Sequence, residues 1–233
     1  MNFAVFLQPG AVNALGVTAA ELQQIASSLT VYANRDVASY WGGQHAVRVS
    51  PDGKNLQPGE VACALVDALP DAPGAIAYHD VQGAEVPAIF LALSQCNQVL
   101  TGSDSVSSAL SHEIAETIGD PAVDLWVDDG QGAEWARELC DAVQEWRYSI
   151  NAVSVSDFVL PAFFAPGSVG PWNYLATAGG QTLVRALQTA PGGYQIKRTS
   201  GGGETQVTGM VSSHRAAKKR NWSSRTFRRG ARV

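Results

Sequence analysis

Cysteine is scarce in this chain: Cys63, Cys96 and Cys140 are its whole complement. Three widely separated cysteines without a Cys-x-x-Cys spacing exclude a disulfide framework and a thiolate zinc knuckle. They suit buried, reduced thiols in a protein made in the cytoplasm. Long apolar runs are also missing. Residues 1–9 have no basic segment ahead of their short apolar stretch, so we expect a first strand there rather than a signal peptide, and no membrane span. The last nineteen positions contain no acid, and their only aromatic residues are Trp222 and Phe227. With no recognised DNA- or RNA-binding motif, a sequence-specific nucleic-acid reader is disfavoured.

What is present is a core-forming composition with divided charge. A hydrophobic content of 45% with 23 glycines in 233 residues suffices for one domain with an appendage. The net charge of −5 conceals a split: residues 1–214 carry eight basic and all twenty-one acidic residues, hence −13, and residues 215–233 carry +8. That asymmetry predicts an arm with a separate partner. Residues 200–203, Ser-Gly-Gly-Gly, read as a flexible linker. The expected organisation is a domain over residues 1–199, then a linker and basic arm over residues 200–233. The arm offers Arg215, Lys218, Lys219, Arg220, Trp222, Arg225, Phe227, Arg228, Arg229 and Arg232 to neighbouring protein subunits. Non-specific nucleic-acid contact is a second use for the same charge.

The body predicts an α+β fold. Thr18 to Glu21 has capping-box spacing, and Leu22, Ile25, Leu29, Tyr32, Ala33, Val37 and Tyr40 share one helical face, so a long helix is expected to about Ser39. Asp36 falls on that apolar face and calls for partners within the fold. Strand-like segments follow at 46–50, 61–69, 75–79 and 88–93, separated by Pro/Gly/Asp turns. Later, Trp135, Leu139, Ala142, Val143 and Trp146 fit a second helix over residues 133–146. Residues 181–189 and 194–199 fit a β-hairpin turning at Pro191-Gly192.

Between these lies a helix expected over residues 103–121, capped by Ser103 or Asp104 and stopped by Gly119 and Pro121. Val106, Leu110, Ile114 and Ile118 form its apolar stripe. His112 and Glu116, four apart, stand one above the other on another face, flanked by the small Ser105, Ser108 and Ala109. An imidazole and a carboxylate so placed can converge on an ion. The same residues would also suit the solvated face of an ordinary amphipathic helix. From Glu113 to Glu145 the chain has ten acidic residues and one basic one, Arg137, a density that calls for solvation or a cation.

The run His112-Glu113-Ile114-Ala115-Glu116 resembles the His-Glu-x-x-His helix of zincin metallopeptidases, with Glu116 in place of the second histidine. Further pieces are Asn34-Arg35-Asp36-Val37 with Trp41-Gly42, Ala77-Tyr78-His79-Asp80, Asp120-Pro121, Glu138-Leu139-Cys140-Asp141, Val155 through Pro161, and Gly192-Gly193-Tyr194. In order and spacing they resemble a zincin-like, largely uncharacterised family of bacteria and bacteriophages. The resemblance implies a mixed sheet packed on a metal-site helix, with an edge strand bordering the cleft; residues 88–93 are the candidate edge. It also implies zinc or another divalent transition metal, with His112 and Glu116 as ligands and Glu113 as general base. The third ligand would come from a downstream acid, Glu138 or Glu134, with Asp120 as rival. The histidine that metzincins place six residues on is excluded by Ala122. His79, Asp120 and Asp141 are candidates for orienting ligands or substrate. Two functions follow as expectations: a structural component of a larger assembly such as a bacteriophage virion, and a free-standing zinc-dependent metallohydrolase.

Overall fold

The first strand, β1 (Asn2–Leu7), is buried over most of its length and lies near the middle of a five-stranded sheet. It pairs in parallel with β2 (Ala46–Val49) on one side and β3 (Glu60–Val66) on the other. β3 pairs in parallel with β5 (Val86–Ala92), and β4 (Ala77–Gln82) closes the order β2-β1-β3-β5-β4 as an antiparallel edge. The computed structural model describes residues 1–82, 86–199 and 203–210. Among the described residues no helix is long and apolar enough to cross a membrane. The fold is mixed α+β.

The edge is thus β4, not residues 88–93. An interior strand is covered by ladders on both sides and favours a continuous apolar run, which β5 has in Val-Pro-Ala-Ile-Phe-Leu-Ala. β4 carries His79, Asp80 and Gln82, and polar side chains are better tolerated at an edge.

The helix crossing from β1 to β2 begins at Thr18 with the expected capping box: Glu21 N–H donates to Thr18 Oγ1 at 3.2 Å, and Thr18 N–H donates to Glu21 Oε2 at 2.9 Å. It runs as α1 (Ala19–Val31), a π-helical turn Tyr32–Val37, and α2 (Ala38–Trp41), ending at Gly42 with φ +78°. Asp36, on the π turn, is buried and fully engaged by Arg35, the Tyr148 hydroxyl at 2.7 Å and the Tyr174 hydroxyl at 2.6 Å.

After β5 the chain enters α3 (Val106–Gly119). Ser105, not Ser103 or Asp104, is its N-cap, accepting from Ser108 N–H at 3.1 Å. Val106, Leu110 and Ile114 are fully buried in the core shared with α1 and the sheet. A second side is covered too: Ser111 Oγ accepts from Ser156 N–H at 2.8 Å, on a hairpin of β8 (Arg147–Ile150) and β9 (Val153–Ser156). α3 is therefore an internal helix.

Residues 133–146 do not form a helix. Asp129 accepts from the N–H groups of Gln131 and Ala133, fixing a turn between β6 (Trp126–Asp128) and β7 (Ala133–Ala136); a 3-10 turn, Asp141–Val143, follows. The Trp135/Leu139/Val143 spacing mimicked a helical period, but Ala133, Trp135 and Ala136 are buried around a less buried Glu134, whose carboxylate pairs with Arg198 at 2.7 Å. Arg198 and Lys197 also stack on Trp126 and Trp135. The expected hairpin of residues 181–189 and 194–199 is replaced by β10 (Tyr194–Thr199) with β11 (Glu204–Thr208), giving a sheet β11-β10-β7-β6. The Gly-rich residues 200–203 thus connect two paired strands. Residues 181–183 are held by a side chain instead of a ladder: Asn173 donates to Gln181 O at 2.9 Å and accepts from Leu183 N–H at 3.0 Å. The basic positions 215–232 lie outside the described residues.

Candidate metal centre

Four segments converge on the polar face of α3. The helix supplies His112, Glu113 and Glu116; β4 supplies His79; the α3 C-cap supplies Asp120; and the turn after β7 supplies Glu138 and Asp141. Two glycines allow that convergence. A Cβ on Gly119 would overlap the Leu139 side chain, and one on Gly193 would overlap the Ala142 carbonyl. Their absence lets the segment around Glu138–Asp141 lie against α3 and lets β10 bring Tyr194 beside Asp141. Glu116 Oε1 accepts from Cys140 N–H at 3.3 Å, tying that segment to the helix directly.

Apart from His112, whose side chain is 16% exposed, the cluster is buried: residue exposures are 4% for His79 and Glu116, 6% for Glu113, 8% for Glu138, 4% for Asp141 and 0% for Asp120. Glu116 lies between two imidazoles. Its Oε1 is 3.1 Å from His112 Nε2, and its Oε2 is 3.6 Å from His79 Nδ1. His112 Nε2 also lies 3.2 Å from Asp141 Oδ1, and His79 Nδ1 lies 3.2 Å from Glu113 Oε2. Donor atoms of His79, Glu116 and Glu138 fall within 4.8 Å of one another, as do those of His112, Glu113 and Glu116, both ranges suited to holding a metal ion.

Electrostatics reflect this crowding. Burial pushes the Glu116 carboxyl up, against the pull of His112, to about 8. Burial draws His79 down, but Glu113, Glu138 and Glu116 outweigh it and lift the ring to about 9. His112 is raised well above its ordinary range because Glu116, Cys140 and Asp141 outweigh its burial. Burial, then the Asp141 and Glu116 charges, raise Tyr194. A buried group of carboxylates that perturbs its neighbours in this way is stabilised by a cation or by retained protons.

Of the acids considered for a third ligand, Glu134 points away to Arg198. Asp120 spends its carboxylate on the N–H groups of Asp124 and Leu125, at 3.1 and 3.0 Å, while its backbone carbonyl faces His79 Nε2 at 3.3 Å. Glu138 joins the cluster on the His79 side, and Asp141 is the acid nearest His112. Sequence reasoning assigned Tyr194 no role at the site. Its signal was the Gly-Gly pair before it, which permits close backbone approach. Comparison of the chain with protein-family models, curated proteins and solved structures finds no match.

Proposed function

We propose that this chain is a zincin-like metal-binding domain that uses its ion for stability and serves as a structural component of a larger assembly, of the bacteriophage-virion kind its resemblance implies. The observation that carries the reading is the gathering of two imidazoles and four buried carboxylates, Glu113, Glu116, Glu138 and Asp141, on and around one helix. Imidazole nitrogen and carboxylate oxygen suit zinc or another first-row divalent ion, with His112, Glu116 and Asp141 as one donor set. With Glu113, Glu116, Glu138 and Asp141 each no more than 8% exposed, little of the cluster is open to a substrate, which favours a structural use of the ion. Two carboxylate donors also leave an ion less electrophilic than two histidines would. The +8 of residues 215–232, opposite a body of −13, supports an assembly role, with Trp222 and Phe227 as apolar anchors among charges that set orientation.

The test is metal content with thermal stability. Protein refolded with excess zinc and then dialysed should retain zinc and melt higher than the chelated form, and His112→Ala should retain less zinc and show a smaller rise. Equal metal content in wild type and variant would remove His112 from the site. Lys218, Lys219, Arg228 and Arg229 replaced together by Glu should leave metal content unchanged and reduce association in sedimentation; unchanged association would refute the arm's role.

A second reading, a metallohydrolase, is favoured by one feature: Glu113 lies beside the donor atoms, next to His112 in sequence and 3.2 Å from His79. A bound divalent ion would polarise a carbonyl and acidify water there. Glu113 would take the proton, and His79 would hold the Glu113 carboxylate in place.

A further inference from the structure

We infer that the cluster holds two divalent ions that share Glu116 as a bridging carboxylate: one between His112, Asp141 and Glu116, the other between His79, Glu138 and Glu116. This rests on the metal-binding reading above and adds the number and arrangement of ions.

Glu116 Oε1 faces His112 and Oε2 faces His79, so the two imidazoles approach different oxygens of one carboxylate from different elements, α3 and β4. The nitrogen–oxygen separations, 3.1, 3.2 and 3.6 Å, match two donors on one ion. Ligands at ~2.0–2.1 Å around a tetrahedral ion stand roughly 3.3 Å apart. On the His112 side two separations meet it, to Glu116 and to Asp141; on the His79 side the separation to Glu116 is slightly wider, with a Glu138 donor atom within 4.8 Å of both.

His79 is held so as to present one nitrogen to the cluster. Its Nε2 lies 3.3 Å from the Asp120 carbonyl, which only accepts, so in the neutral ring the proton belongs on Nε2 and Nδ1 is a lone pair. That lone pair faces Glu113 Oε2 and Glu116 Oε2, also acceptors, in a buried site. A histidine held by a backbone carbonyl through one nitrogen and aiming the other at carboxylates has the arrangement of a metal ligand with its outer support. A single added proton on Nδ1 would serve one direction, whereas an ion serves His79, Glu116 and Glu138 together.

With Asp120 committed to backbone N–H groups, Glu113, Glu116, Glu138 and Asp141 remain. Two divalent ions balance four ionised carboxylates with both imidazoles neutral, whereas one ion balances them only together with two retained protons.

The test is ion stoichiometry on the intact chain, by elemental analysis after equilibrium dialysis against zinc, with manganese loading for electron paramagnetic resonance. Wild type should hold about two zinc ions and, with manganese, show an exchange-coupled pair. His79→Ala and Glu138→Gln should each hold one and give an uncoupled manganese signal, and His112→Ala should also hold one. Circular dichroism identifies any variant that has not folded; the wild-type stoichiometry and spectrum decide the matter without variants. One ion in wild type, or loss of all metal from both histidine variants, overturns the pair and leaves a single-ion site standing. No retained ion in wild type overturns both readings.

Discussion

Gly119→Ala tests how the centre is assembled without touching any donor. Gly119 is the last residue of α3, and an added Cβ would meet Leu139 Cδ1 and Cδ2 at overlapping distances and Cγ at 3.0 Å. Leu139 cannot easily retreat: it is fully buried, its carbonyl accepts from Val159 N–H at 2.7 Å, and the next residue's N–H is held by Glu116. Two effects oppose each other. Alanine favours a helix over glycine by up to about 1 kcal/mol, less at the last turn, whereas overpacking a rigid core costs about 1–3 kcal/mol. The clash should win by about 1–2 kcal/mol, which for a domain of this size lowers the melting temperature by about 3–6 °C. Because Leu139 lies between Glu138 and Asp141, its displacement should also weaken zinc binding by about tenfold or more, the scale seen when ligand supports are lost. Thermal unfolding by circular dichroism and competition titration with a chromophoric chelator read the two effects. Leu139→Val, introduced with Gly119→Ala, should relieve part of both, giving a coupling of about 0.5–1 kcal/mol or more in a double-mutant cycle. Gly119→Ala as stable as wild type with unchanged zinc affinity, or a cycle with no coupling, would refute the close-approach argument.

Two further outcomes follow from named contacts. The Glu60 carboxylate accepts from Arg48 Nε at 2.7 Å, Arg48 Nη2 at 2.6 Å and Gln57 N–H at 2.6 Å, and Arg48 first among these holds its pKa below the ordinary 4.5. A depressed folded-state pKa gives stability that is present above 4.5 and lost as pH falls through the folded value. Glu60→Gln should therefore cost about 1–2 kcal/mol in urea unfolding at pH 7, with the partly exposed Arg48 reducing the figure, and progressively less below pH 4. A difference independent of pH would exclude the ion pair as its source. Where hydrolysis of a peptide or ester is detected, Glu113→Gln should abolish it with metal content near wild type; activity that survives would remove Glu113 from proton transfer.

Local signals in this chain were legible where one segment satisfied itself. The Thr18–Glu21 box, the stripe of Val106, Leu110 and Ile114, and the apolar runs of β1, β3 and β5 each need only a few neighbouring residues. Three features were not legible, because each depends on a distant partner. β5 lies inside the sheet only because β3 offers a parallel ladder on one side and β4 an antiparallel one on the other. Trp135 and Leu139 share a helical spacing, yet the strand wins because Arg198 and Lys197, some sixty residues later, cover Trp126 and Trp135. Residues 181–183 alternate like a strand, but Asn173, itself buried against Asp157, takes their backbone groups.

The same contrast runs through the candidate centre. His112 and Glu116 were visible because a spacing of four on a helix brings side chains together whatever surrounds them. Spacing could not distinguish a solvated polar face from a binding face, since both place charged residues opposite an apolar stripe. Burial distinguishes them. α3 packs its apolar face into the core and its Ser111 side against β9, and β4 and the 138–141 turn close over the rest, so its carboxylates keep no more than 6% exposure. An ordinary amphipathic helix would leave Glu113 and Glu116 in water at no cost. Here the fold gathers two more acids, Glu138 and Asp141, and a second imidazole, His79, around them. Each added carboxylate raises the unfavourable charge unless a cation is part of the folded state. If that is so, the metal-free chain should be least stable where its carboxylates are most fully ionised, and metal should stabilise it most there, so that the zinc-induced rise in melting temperature grows with pH as the ligands lose their protons. Glu116, pushed up to about 8, and His79, lifted to about 9, set that window above neutrality in the metal-free protein. A rise that is flat from pH 6 to 9 would separate the cluster's protons from its metal.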